Sequence, residues 1–322
     1  MRTEIDRRGF IAAGASLMIG TAARSALPVI RQAPKARIII DNDFAGDPDG
    51  LIALAHQLAT KAARPVLVTT SALDAKLAAL GGQPAGATAA AGKQAAIDLM
   101  HIMGLTNLCP VIAGSERFGV AGAQASAAAR AIVAEAMRDD PLPLFFTCGG
   151  PLTNLAQALQ LEPAIADRMT LVWIGGADYP QGGSEYNLST DLEAARAVIE
   201  RSRMPIWQIP AGAYRQLQMS VAEMTATLRP MSATTAWLYG RYADLPPFVQ
   251  LGGAITLGDS PMVLLTSVSA ESSASSIIAG RRLLDDSRYG AEIPGRSIRL
   301  FTQLDARLAL ADFLALMQPR RD

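Results

Sequence analysis

Three consecutive isoleucines, Ile38-Ile39-Ile40, run straight into four aspartates within nine residues: Asp41, Asp43, Asp47 and Asp49. A short β-branched run of this kind reads as a buried strand, and Leu51 to Leu58 behind it reads as a helix. A strand that is apolar on both faces belongs in a parallel sheet covered by helices on both sides. The acids then sit at the carboxyl end of that strand, where open α/β sheets place their ligands. Packed this closely they repel one another unless a cation sits among them, and hard oxygen donors suit Ca²⁺ or Mg²⁺ far better than zinc. Helix capping by Asp47 or Asp49, with Gly46 and Gly50 as turn residues, accounts for one or two of the acids but not for four.

The remainder of the chain repeats the strand–helix alternation. Strands are expected at 37–41, 65–70, 110–114, 142–147, 171–174 and 206–209, and helices at 49–60, 91–103, 123–137, 152–159, 163–168 and 191–201. Residues 76–90, with Gly81-Gly82-Gln83-Pro84, read as a loop with weak helical content. From 221 to 242 the pattern is mainly helical, and Ser260-Pro261 opens another helix with proline in its first turn. Short strands at 276–284 and 297–301 and a closing helix at 306–317 complete the reading. The expected fold is α/β, a mostly parallel central sheet with helices on both faces plus extra C-terminal helices and short strands. No repeat or second linker divides 37–322, which reads as one domain.

The first residues read differently. Arg7-Arg8 followed by Phe10-Ile11 and an uncharged apolar run to Ala23 resembles a twin-arginine export signal, with small residues at 22–26 suited to cleavage. The run is short of the roughly 20 apolar residues that spanning a membrane needs. The expected division is a signal peptide at 1–25, a Pro-bearing linker at 26–36 and the domain beyond, with the mature protein periplasmic and free of the membrane. Charge excludes little else: 29 Lys+Arg balance 29 Asp+Glu, so nothing suggests a nucleic-acid partner. Self-association stays open. Cys109 and Cys148 each adjoin an apolar run and read as buried free thiols, with one disulfide as the alternative.

Four stretches in order resemble the nucleoside hydrolase family. The first is Asp41-Asn42-Asp43-Phe44-Ala45-Gly46-Asp47-Pro48-Asp49-Gly50-Leu51. The second is Gly150-Pro151-Leu152-Thr153-Asn154, with Leu161-Glu162-Pro163 after it. The third is Gly175-Gly176-Ala177, then Glu185-Tyr186-Asn187 and Asp191-Leu192-Glu193-Ala194-Ala195. The last is Gly258-Asp259-Ser260-Pro261. The resemblance implies a Ca²⁺ held by Asp43, Asp49, Asp259 and the backbone carbonyl of Gly149. It also implies Asp43 as general base for the attacking water, and Asp47, Glu185 and Asn187 on the ribose hydroxyls. The activity it implies is hydrolysis of the N-glycosidic bond of a ribonucleoside or related ribosyl compound, a step of nucleoside catabolism.

Two departures bear on the chemistry. Pro48 separates Asp47 from Asp49 where the family has adjacent aspartates, so which of the pair binds metal and which binds ribose stays open. Gly258 stands where members often carry a histidine that helps the base depart, and neither His56 nor His101 lies in a matching motif. Both read as partly buried structural histidines. Tyr179, Tyr186, Trp237, Tyr239 and Tyr242 are candidates to line a base pocket, Tyr186 first among them. Two other readings compete: a periplasmic nucleoside- or sugar-binding protein that has lost catalysis, and a haloacid-dehalogenase-type phosphatase using Asp41 and Asp43. The second would need a later lysine and a further acidic pair at strand ends, and Asp285-Asp286 lies too far towards the C-terminus, beside apparent antiparallel strands.

Overall fold

Residues 30–119, 124–246 and 249–319 are described by a computed structural model, and one compact unit spans Ala33–Asp322. The export-signal expectation at 1–25 lies outside the described residues. In chain order the first half comprises β1 (Arg37–Asn42), α1 (Asp49–Ala59), β2 (Arg64–Thr70), α2 (Ala75–Leu80), α3 (Thr88–Ile102), β3 (Val111–Ala113), α4 (Ala127–Met137), β4 (Leu144–Cys148), α5 (Thr153–Leu161) and β5 (Met169–Ile174). The second half comprises α6 (Tyr186–Thr190), α7 (Leu192–Ile199), β6 (Ile206–Ile209), α8 (Ala211–Tyr214), β7 (Gln218–Ser220), α9 (Val221–Met231) and α10 (Ala233–Ala243). It closes with β8 (Ala254–Thr256), α11 (Ser260–Val263), β9 (Ala274–Leu283), β10 (Tyr289–Gln303) and α12 (Ala306–Met317). No helix among the described residues is long and apolar enough to cross a membrane.

The main sheet has the order β3-β2-β1-β4-β5-β6-β10-β9, parallel except where β9 runs antiparallel to β10. From β1 the chain builds outward through β2 and β3, then returns to the other side of β1 with β4, β5 and β6. The crevice between the ends of β1 and β4 is therefore the switch point at which such sheets bind ligands. Alternation along the strands fills two cores. Ile38, Ile40, Val68 and Val172 face α1, α3 and α12, through Leu54, Leu99 and Phe313. Ile39, Phe146, Leu171 and Trp173 face α4, α5 and α7, through Ile132, Leu155 and Val198. Helix α1 is buried from Gly50 to Leu58, because it is enclosed by the sheet and its neighbours rather than lying at the surface.

The architecture agrees with the sequence reading, and the differences are local. The loop expected at 76–90 contains α2 and the start of α3, because Asp74 caps α2 by accepting from the backbone N–H of Lys76 and Leu77. Strands β9 and β10 are longer than the apolar runs that suggested them. Their hairpin carries the ladder through polar residues, with Glu292 opposite Arg281. The small antiparallel pair β7–β8 had no signal beyond three residues on each side. Both cysteines are free, with Cys148 buried and Cys109 half-buried.

Phe146 is fully buried in the second core. Phe146→Ala should destabilise the protein by about 3–5 kcal/mol, measured as a lower urea midpoint with an unchanged denaturant slope.

Candidate active site

The aspartates after β1 divide into two groups. Asp41 still belongs to the strand, is buried, and turns into the protein. It accepts from Thr69 Oγ1 at 2.5 Å, from Asn154 Nδ2 at 2.8 Å and from the Ser71 hydroxyl. Burial pushes its carboxyl above the usual range, and those donors pull it back down. The expected cluster of four acids around one ion therefore loses Asp41, which ties β1 to β2 and α5. This also explains Asn154 of the Gly-Pro-Leu-Thr-Asn stretch: it is a buried donor to Asp41 and to the carbonyl of Thr70.

Asp43, Asp47 and Asp49 follow in the loop and first turn of α1, and Asp259 joins them from the start of α11. Asn42 connects the two arms. Its Nδ2 donates to Asp259 Oδ2 at 2.8 Å, and its Oδ1 accepts from the backbone N–H of Asp43 at 2.8 Å. Two glycines make room for it: a Cβ at Gly149 would stand 2.4 Å from Asn42 Nδ2 and 2.6 Å from Asp259 Oδ1, and one at Gly50 2.9 Å from Asn42 Nδ2. Asp49 Oδ2 accepts from the backbone N–H of Asp259 at 3.2 Å. Asp47 is exposed at the rim, where its Oδ1 accepts from the N–H of Asp49 at 3.3 Å.

No Lys, Arg or His side chain among the described residues pairs with these acids. Burial, then repulsion from Asp259, Asp47 and Asp41, raises Asp43 well above its usual range, and burial with repulsion from Asp259, Asp47 and Asp43 does the same to Asp49. Asp259 is lifted to about 7 by burial and by the charges of Asp47 and Glu185, against the pull of Asn42. Among the described residues no three Asp, Glu, His or Cys side chains are drawn into a chelating set as placed. The group is oxygen-only, crowded and unneutralised, which is the donor chemistry that a hard divalent cation satisfies.

The other sequence-predicted residues gather at the same edge. Glu185 caps α6: its Oε2 accepts from the N–H of Gly176 at 2.7 Å and of Leu188 at 3.0 Å. Asn187 Nδ2 donates to the carbonyls of Ile174 at 2.9 Å and Gly149 at 3.2 Å, which joins the ends of β5 and β4. The Gly149 carbonyl keeps a second lone pair. Tyr186 accepts at its hydroxyl from the N–H of Asp74, 3.3 Å away. Burial and the Asp43 charge raise its phenol. Tyr242 has a buried hydroxyl that finds no partner among the described residues, its pKa raised well above the usual range by burial and then by Asp49, Asp47 and Asp259.

Several candidates lie elsewhere. Tyr179 stacks on Tyr289 with centroids 3.9 Å apart, Trp237 packs under Arg241, and Tyr239 meets the Thr225 hydroxyl at 3.4 Å. His56 is fully buried, its Nε2 2.9 Å from Asp312 Oδ2 on α12. His101 is exposed on α3 rather than partly buried, since its helix presents that face to solvent. Asp285 and Asp286 occupy the β9–β10 turn, paired with Arg196 and Arg288, which removes the acidic pair a phosphatase would need. Sequence reasoning missed Asn42, an uncharged residue between two acids, and Tyr214, whose place just past the end of β6 was the available signal.

The sequence profile described as inosine-uridine preferring nucleoside hydrolase matches residues 38–250, two thirds of the chain. The chain belongs to that family. Its members are metal-dependent N-glycosyl hydrolases acting on small-molecule nucleosides. A segment of 77 residues is 36% identical to the inosine-uridine preferring nucleoside hydrolase of Crithidia fasciculata, a match spanning 23% of each chain. Solved structures show the fold over nearly the whole length. A plant nucleoside hydrolase superposes with a TM-score of 0.67 at 17% identity, covering 89% of this chain and 100% of that one. The inosine-uridine preferring nucleoside hydrolase from Bacillus anthracis gives 0.64 at 18% identity, covering 88% and 99%.

The pH dependence of stability follows from the raised acids. A carboxyl whose folded pKa lies above its unfolded value of about 3.9 stabilises the fold below that value and loses the contribution as pH rises through the folded pKa. Chelator-treated protein should therefore melt at progressively lower temperature from pH 5 to pH 8, with the Asp259 value of about 7 inside that window. Added Ca²⁺ should reverse the loss, most strongly at the alkaline end, as read by scanning calorimetry.

Proposed function

We propose that this protein is a calcium-dependent hydrolase of the N-glycosidic bond of a ribonucleoside or related ribosyl compound. The observation that carries the reading is the unneutralised acid group of Asp43, Asp49 and Asp259 at the switch point of the sheet. Asp43, Asp49, Asp259 and the Gly149 carbonyl are the residues that would hold the ion. When bound, Ca²⁺ supplies positive charge that offsets the clustered carboxylates and lowers the pKa of a water.

Asp43 takes the proton of the attacking water as general base. Breaking the N-glycosidic bond leaves positive charge on the sugar, which the carboxylates at this edge stabilise, as in glycoside hydrolysis. Glu185, Asn187, Tyr186 and Asp47 hold the sugar. Asn187 has its amide nitrogen engaged by two carbonyls, which fixes its Oδ1 as an acceptor. The Pro48 insertion leaves Asp47 exposed while Asp49 touches Asp259, an arrangement that supports Asp49 as ligand and Asp47 as sugar binder.

Protonation of the leaving base has no histidine to perform it. His56 is pinned to Asp312, His101 is exposed on α3, and position 258 is glycine. Without an acid, the barrier depends on how well the leaving group carries its own negative charge. Nitrophenyl riboside should therefore be cleaved far faster than inosine, with a kcat/KM profile that rises with pH and has no falling limb. Asp43→Asn should reduce turnover by at least about 10²-fold. A bell-shaped profile, or inosine cleaved as fast as the nitrophenyl compound, would contradict the acid-free mechanism. Binding of ribosides without any turnover would identify a binding protein instead.

The proposed location is the periplasm, reached by the twin-arginine route, on the strength of Arg7-Arg8 and the uncharged run behind them. Replacing both arginines with lysine should leave the precursor in the cytoplasm on fractionation. Unchanged export would indicate the general secretory route.

A further inference from the structure

The carboxyl edge of the sheet holds one side-chain pairing to which the proposed reaction assigns no role. Tyr214, the last residue of α8, donates its hydroxyl to Glu185 Oε1 at 3.3 Å. The other oxygen of that carboxylate is already held by the N–H groups of Gly176 and Leu188. Among the described residues, the Tyr214 phenol is the only side chain that donates to Glu185. With both oxygens held, the carboxylate has one orientation and presents its remaining lone pairs in fixed directions.

The ring of Tyr214 has a second neighbour. A Cβ at Gly258 would stand 3.2 Å from Tyr214 Cδ2 and 3.2 Å from Asp49 Oδ2. Gly258 does not adopt a positive φ, so its backbone would accept a side chain. What crowds one is the space taken by the ring and by the carboxylate of Asp49, either of which would have to give by a few tenths of an ångström. Tyr214 thus stands between two parts of the site, its ring beside the position that a side chain at 258 would share with Asp49 and its hydroxyl on Glu185.

We propose that Tyr214 is a positioning residue for sugar recognition: its hydroxyl fixes the Glu185 carboxylate for one sugar hydroxyl, and its ring fills the space beside Asp49 that position 258 leaves free. This rests on the ribosyl-hydrolase reading above. The phenol acts on a group that binds the sugar in the ground state and in the transition state alike, so its loss appears in KM more than in kcat.

Tyr214→Phe removes the hydroxyl and keeps the ring. With nitrophenyl riboside and the full chain in Ca²⁺, KM should rise about 10-fold while kcat stays within about 3-fold. The penalty should vanish on one of the 2-, 3- or 5-deoxy analogues, the one lacking the hydroxyl that Glu185 holds. The ring is tested without substrate. Gly258→Val should lower the melting temperature, and should lower it less when Tyr214→Ala is present in the same chain. Unchanged KM in Tyr214→Phe, or an equal penalty on all three deoxy analogues, overturns the assignment to sugar recognition. Additive melting shifts overturn the shared-space part. If the unaltered chain cleaves none of these ribosides, the ribosyl-hydrolase reading fails, and the sugar-recognition part fails with it.

Discussion

Carboxylates that repel one another are held together at the end of a buried strand, and the local structure is arranged around that repulsion. Asn42 does the holding: it is uncharged, it donates to Asp259, and it accepts from the backbone of Asp43. A carboxylate in its place would add to the repulsion, and an apolar side chain would leave Asp259 without its donor. Gly149 and Gly50 lack side chains where Asn42 needs room. Asp41, one residue earlier, is satisfied internally by three donors and so anchors β1 under the site without adding to its open charge.

This arrangement sits where the fold changes direction. The switch between β1 and β4 brings the acid loop beside Gly149, and the ends of β5 and β6 bring Glu185, Asn187 and Tyr214 to the same edge. Glu185 is fixed by two backbone N–H groups and the Tyr214 hydroxyl, and Asn187 by two backbone carbonyls. The site is thereby organised before any ligand arrives, which is how hydrogen-bonded groups on rigid elements contribute to catalysis.

Much of this was legible in the sequence, for identifiable reasons. The isoleucine run and the strand–helix alternation specify a doubly covered parallel sheet, because burial on both faces leaves few other arrangements. The acid cluster was legible as an unusual concentration of like charge at a strand end, because helix capping uses only one or two of its members. Its division was not: nothing in the order of residues shows that Asp41 turns inward to Thr69, Ser71 and Asn154, which come from other strands and helices. Asn42 and Tyr214 were hidden for the same reason, since their partners Asp259 and Glu185 are distant in the chain. Tyr242 could be named as a candidate but not distinguished from Tyr239, three residues away, until the helix placed one hydroxyl beside the acids and the other beside Thr225.

We propose that the acid group binds one hard divalent cation. The most direct measurement is calorimetric titration of chelator-stripped protein with Ca²⁺ near pH 7, in buffers of different ionisation enthalpy. One binding site per chain with release of protons is expected, because Asp259, held up at about 7 by burial and neighbouring charge, must ionise fully to bind. Absence of binding, or binding without proton release that persists in Asp259→Asn, would contradict it.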